Sequence, residues 1–141
     1  MDTPSESTRV KASLAGLEGV TAALDRWRIA RGLQVSAVWP FQVALDEMLS
    51  NTLRCGYADD PGQHEIEVRF AIEGGLMQVA IVDDAAPFDP LQAKAPDTTA
   101  PLEQRRAGGL GIFLVRELMD EVRYQRVDGR NVLTLRKRVH E

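Results

Sequence analysis

Hydrophobic spacing changes in mid-chain, from steps of three and four residues between Ser13 and Tyr57 to steps of two from Glu65. Leu14, Leu17, Val20, Leu24 and Trp27 recur at the period of an amphipathic helix spanning Ser13 to Leu33, with Gly32 as its stop. A second helix is expected from about Trp39 to Tyr57, carrying Pro40 in its first turn. Its apolar stripe is Phe41, Ala44, Leu45, Met48, Leu49, Thr52 and Leu53. Asp59 to Gly62 then reads as a loop. After it, Ile66, Val68, Phe70 and Ile72 alternate with polar residues, Gly74-Gly75 supplies a hairpin turn, and Leu76 to Val82 returns as a buried strand. A third helix is expected over Leu110 to Met119, and a closing hairpin turns at Asp128-Gly129. Ser7 to Ala12 suits an edge strand. Helices come first and hairpins follow, without βαβ alternation. That order predicts an α+β two-layer sandwich, a mostly antiparallel sheet with helices on one face.

At 141 residues the chain suits one domain, residues 1–141, large enough to bury a core without staples. Cys55 is the only cysteine, so no internal disulfide can form and a reducing compartment is expected. Met1 to Val10 lacks the basic start and apolar core of a signal peptide, and no apolar run approaches the roughly 20 residues of a membrane span. A cytoplasmic protein without membrane contact is expected. The net charge of -4, with 17 basic residues, argues against direct nucleic-acid binding.

Three segments can carry chemistry. Glu47 and Asn51 are separated by about 400° of helical rotation, hence roughly 40° apart on one face. That face can be merely solvated, or it can line a cleft with a carboxylate base beside an amide oxygen able to ligate Mg²⁺. Asp83, at the end of a buried strand, can cap the following turn or accept a hydrogen bond from an exocyclic amino group. Gly108-Gly109-Leu110-Gly111 opens a helix and offers backbone N–H groups to an anion, though a hinge would use the same residues. Neither a Rossmann fingerprint nor a P-loop fits these glycines. Between the last two segments lies a proline-bearing stretch, about 84–108, long enough to be a lid. Arg105 and Arg106 end it and can reach a phosphate. His64 and His140 are isolated and suggest no metal site.

These segments resemble, in one order, the boxes of the RsbW/SpoIIAB-type anti-sigma factor serine kinases of the GHKL superfamily. Val43-Ala44-Leu45-Asp46-Glu47-Met48-Leu49-Ser50-Asn51, followed by Gly56-Tyr57, resembles their N-box. Val82-Asp83-Asp84-Ala85-Ala86-Pro87-Phe88-Asp89-Pro90 resembles the first glycine box, and Gly108-Gly109-Leu110-Gly111-Ile112-Phe113-Leu114-Val115-Arg116 the second. The resemblance covers about residues 8–139 and implies a Bergerat-type sandwich with an ATP lid. It implies Glu47 as catalytic base, Asn51 as Mg²⁺ ligand and Asp83 as adenine-reading carboxylate. The implied nucleotide-binding set is Asn51, Asp83, Ala85, Phe88, Arg105, Gly108, Gly109, Leu110 and Gly111. By the same analogy the chain is an ATP- and Mg²⁺-dependent serine/threonine kinase of a STAS-domain antagonist (the anti-anti-sigma protein), sequesters a sigma factor, and is a homodimer. Ala85 stands where the family usually has glycine, which would restrict positive φ and fill space beside the nucleotide. A catalytically weak protein that only sequesters the sigma factor is the alternative that Ala85 supports; the retained Glu47 opposes it. The ATPase domain of a histidine kinase is a further alternative, opposed because no phosphoacceptor helix fits before Ser13.

Overall fold

The structure, a computed structural model, describes residues 5–56, 64–92 and 109–139. Strand β1 (Ser5–Lys11) leads into helix α1 (Leu14–Arg31) and helix α2 (Val35–Asn51), which continues as a π-helical turn over Thr52–Gly56. Strands β2 (Glu65–Glu73) and β3 (Leu76–Asp83) follow, then a 3₁₀ turn at Pro90–Gln92, helix α3 (Gly109–Leu118), and strands β4 (Glu121–Val127) and β5 (Arg130–Arg138). The five strands lie in the order β1-β2-β3-β5-β4, every neighbouring pair antiparallel. The α+β sandwich expected from the sequence is therefore present.

Local chemistry explains the element ends. The Ser13 hydroxyl accepts from the Gly16 N–H at 3.0 Å and caps α1, while Gly32 ends it at φ 70°. Both hairpins turn through two consecutive positive-φ residues, Gly74-Gly75 and Asp128-Gly129, the backbone that a two-residue turn between twisted strands requires. Helix α2 begins earlier than expected, at Val35 rather than Trp39. Pro40 thus sits past the first turn, where its missing N–H forfeits one backbone hydrogen bond of the helix. Leu33 and Val38 are buried, and seating them favours starting the helix before the proline.

The core lies between the sheet and the helices. Trp27, Phe41, Leu45 and Leu49 meet Ile66, Phe70, Met77, Val79 and Leu135, all essentially without solvent contact. Trp27 and Phe70 rings pack with centroids 5.9 Å apart. Leu14, counted in the α1 stripe from its spacing, is 77 % exposed because it is the first residue of the helix and overhangs the core. Alternation in β2 and β3 delivers Ile66 and Asp83 to the same inner face as Val68 and Ile81, and the β3–β5 register sets Asn131 opposite Asp83. A polar pair thus sits at the open end of an otherwise apolar layer.

Candidate nucleotide-binding site

That open end is a cavity of about 150 Å³ whose wall includes Met48, Asn51, Asp83, Ala85, Phe88 and Asn131. Four of the residues singled out from the sequence, Asn51, Asp83, Ala85 and Phe88, are brought together there from α2, the end of β3 and the loop after it. Asn51 is 9 % exposed, so this part of the α2 face is not a solvated one. Phe88 is 50 % exposed and borders the opening.

Asp83 is both turn cap and cavity wall. Its Oδ1 accepts from the Ala85 N–H at 3.0 Å and from Asn131 Nδ2 at 2.9 Å. The carboxyl is 6 % exposed, and burial pushes its pKa above the usual carboxylate range. The Asn131 and Ala85 hydrogen bonds pull it back, neighbouring Asp84 raises it, and Arg126 lowers it. Ala85 does not adopt the backbone its family position suggested. Among the described residues Asp128 is the one non-glycine with positive φ, so Ala85 is unstrained there while its methyl still lines the cavity.

Glu47 lies one turn before Asn51 on α2 and faces α3 rather than the cavity wall. A Cβ built on Gly111 would stand 2.9 Å from Glu47 Cδ and would collide with Oε2. Gly111 therefore makes room for this carboxylate. No hydrogen bond or ion pair to a described residue holds the Glu47 side chain. Asn51 Oδ1 accepts from Arg54 Nη2 at 2.7 Å, and Arg54 Nε reaches the Ser50 carbonyl at 3.4 Å. Both contacts form where the helix widens into the π turn, a distortion frequent at functional sites.

Helix α3 opens at the expected glycine junction, but at Gly109, one residue before the expected Leu110, and ends at Leu118 rather than Met119. Arg105, Arg106, Gly108, His140 and residues 93–108 of the expected lid lie outside the described residues. His64, isolated in sequence, has Nδ1 3.1 Å from Asp84 Oδ2. Among the described residues no group of three or more His, Cys, Asp and Glu side chains could hold a metal. Sequence reasoning missed Arg54, Tyr124, Arg126 and Asn131. The Asp128-Gly129 turn announced a hairpin, but not which strand its second arm would pair with.

The family match now has a site to explain. The histidine kinase-like ATPase domain family matches residues 10–137. The serine/threonine-protein kinase BtrW of Bordetella bronchiseptica is 34 % identical over 133 residues, covering 92 % of this chain and 85 % of that protein. The chain belongs to the RsbW-type serine kinases of this ATPase family. The serine-protein kinase RsbW of Bacillus subtilis is 29 % identical over 102 residues, 70 % of this chain and 63 % of that one. RsbW of Bacillus pumilus is 32 % identical over 93 residues, 62 % of this chain and 57 % of its own length. Against the two RsbW proteins, then, the matched region spans less than two thirds of the relative. The crystal structure of the RsbU and RsbW domains of Rv1364c from Mycobacterium tuberculosis shares the fold, with a TM-score of 0.67 at 22 % identity, over 97 % of this chain and 32 % of that one. Membership in this family makes ATP the chain's nucleotide. No helix among the described residues is long and apolar enough to cross a membrane.

Proposed function

We propose that the cavity is the ATP site of a serine/threonine kinase that phosphorylates a STAS-domain antagonist and, when that antagonist is phosphorylated, sequesters a sigma factor. The observation that carries this is the convergence of Asp83, Asn51 and Ala85 on one cavity, with Glu47 a single helical turn away. Asp83 supplies a carboxylate acceptor for the exocyclic amino group of adenine. Glu47 takes the proton of the acceptor hydroxyl as its oxygen bonds to the γ-phosphorus; the bond to the ADP oxygen breaks and ADP leaves with the electron pair. The first turn of α3, with Gly109 and Leu110, would offer backbone N–H groups to the phosphates; Arg105 and Gly108 are assigned to the same ligand by family analogy alone.

Mg²⁺ fits this donor set, since one amide oxygen suffices when phosphates and water complete the shell. Asn51 would be the protein ligand; the ion would neutralise charge on the β- and γ-phosphates. Arg54 would first have to release the Asn51 oxygen that it now holds. The unstrained backbone of Ala85 counts against a protein that sequesters without catalysing. Homodimerisation and a cytoplasmic setting follow by the same family analogy.

The test is titration calorimetry of the chain with ATP, with and without Mg²⁺, followed by incubation with labelled ATP and a STAS-domain protein of the same genome. Micromolar Mg²⁺-dependent binding and label on a serine or threonine are expected. Binding without any transfer would leave the sigma-sequestering role alone.

A further inference from the structure

Behind Asp83 lies a polar cluster, buried at Asn131 and reaching the surface at Arg126, in which three side chains, Asn131, Tyr124 and Arg126, have no part in the reaction as written. Asn131 is 7 % exposed. Its Oδ1 accepts from Tyr124 Oη at 2.6 Å and from Arg126 Nη1 at 3.1 Å. A guanidinium has donors and no acceptor, so the atom facing it must be the amide oxygen. The amide nitrogen then faces three acceptors: Asp83 Oδ1 at 2.9 Å, the Ala86 carbonyl at 3.0 Å and the Ala85 carbonyl at 3.3 Å. Neighbours of fixed polarity on both sides thus settle which way this amide points. Arg126 Nη1 also donates to the Ala85 carbonyl at 2.8 Å, tying the loop after β3 to β4.

The consequence falls on Asp83. Its Oδ1 already takes two donors, Asn131 Nδ2 and the Ala85 N–H, while Oδ2 has no partner among the described residues. We propose that Arg126, Tyr124 and Asn131 form a relay that sets nucleobase specificity by orienting Asp83. With Oδ1 saturated, one carboxylate oxygen is left to meet the base, and it rewards an amino group while repelling a carbonyl at the same position. Arg126 and Tyr124 are positioning residues; they act through Asn131. This deepens the ATP-site assignment above and rests on it.

The experiment measures ATP and ITP binding by calorimetry on the full chain, ITP carrying an oxygen in place of the 6-amino group. Variants are Arg126→Met, Arg126→Lys and Asn131→Leu, each with its melting temperature. Arg126 is an exposed residue on the edge strand, so Arg126→Met should melt close to the unaltered chain even where Asn131→Leu does not fold. The unaltered chain is expected to prefer ATP by about tenfold or more, because a carbonyl would leave the buried acceptor unpaired. Arg126→Met should narrow that preference by about threefold to tenfold, Asn131→Leu at least as much, and Arg126→Lys, which keeps a donor, should recover part of it. Equal weakening for both nucleotides, with the ratio intact, would show the cluster to be structural and overturn the relay alone. Failure of the unaltered chain to bind either nucleotide would remove the ATP site and the relay together.

Discussion

Two carboxylates mark the two ends of the proposed site, and they are held in opposite ways. Asp83 is tied by two hydrogen bonds into a buried network that reaches to β4. Glu47 has no hydrogen bond to a described residue, and its place is set by the absence of a side chain at Gly111. A group that reads a base benefits from rigidity, because discrimination depends on which acceptor faces the ligand. A base that must approach an incoming hydroxyl and receive its proton benefits from space. The comparison predicts that substitutions at the Asp83 end alter affinity and those at the Glu47 end alter rate.

The largest effect should come from Glu47→Ala. Removing a general base costs on the order of 10²–10⁴-fold in rate. Single-turnover transfer from labelled ATP should fall by that factor while calorimetric ATP affinity stays within about threefold. Loss of both together would mean that Glu47 is structural and that the two ends are not separable.

Asp83→Asn should do the reverse. The amide oxygen can still accept from Ala85 and Asn131, but an NH₂ replaces the acceptor that would face adenine, and affinity should fall by about 100-fold. Stability should move the other way. The folded-state pKa of Asp83 is raised, so the fold disfavours its ionised form, and the resulting cost grows as pH rises through the interval above the ordinary carboxylate value. Asp83→Asn should therefore melt higher than the unaltered chain at pH 8 and lose that advantage toward pH 4, as followed by circular dichroism. An unchanged melting temperature across that range would mean that the carboxylate is already solvated.

How much of this was legible in the sequence differs between the two ends. Periods located α1, α2, β2 and β3, and glycine signals the third helix and the closing hairpin, because each depends on residues a few positions apart; the π turn at Thr52–Gly56 and the 3₁₀ turn at Pro90–Gln92 gave no such signal. Pro40 misled only the start of α2, where a rule about first turns lost to the burial of Leu33 and Val38. Asp83 and Asn51 could be singled out by motif. Asn131 could not, since it meets Asp83 across 48 positions and through a β3–β5 pairing that no adjacent turn specifies. Gly111 was visible as part of a glycine run, yet its contact with Glu47 depends on how α3 lies against α2, which local pattern does not encode.

Gly111→Ala separates placement from chemistry. Its new methyl would meet the far end of a flexible side chain, so Glu47 should swing aside and the backbone should stay. The transfer rate should drop by about 10- to 100-fold with ATP affinity and melting temperature nearly unchanged. Gly16→Ala is the control, because there the methyl would strike the Lys11 carbonyl of the backbone. That variant should be destabilised by about 1–3 kcal/mol, read by urea denaturation. If Gly111→Ala instead melts like Gly16→Ala, Glu47 is packed as firmly as Asp83 and the contrast fails.

Asn51 joins the two ends, lining the cavity with Asp83 while lying one turn from Glu47. Asn51→Ala is therefore the finest test of where one function stops and the other begins. If its oxygen is the protein's contribution to Mg²⁺, affinity for ATP with the metal present should fall by about five- to tenfold, the scale of one ligand among several. In EDTA the same variant should bind ATP like the unaltered chain, because the oxygen is then engaged only by Arg54. An equal loss with and without metal would make Asn51 part of the cavity wall, placing it with Asp83 rather than with the phosphates. A loss confined to the metal-loaded titration would draw the boundary between base reading and phosphoryl transfer through this one side chain.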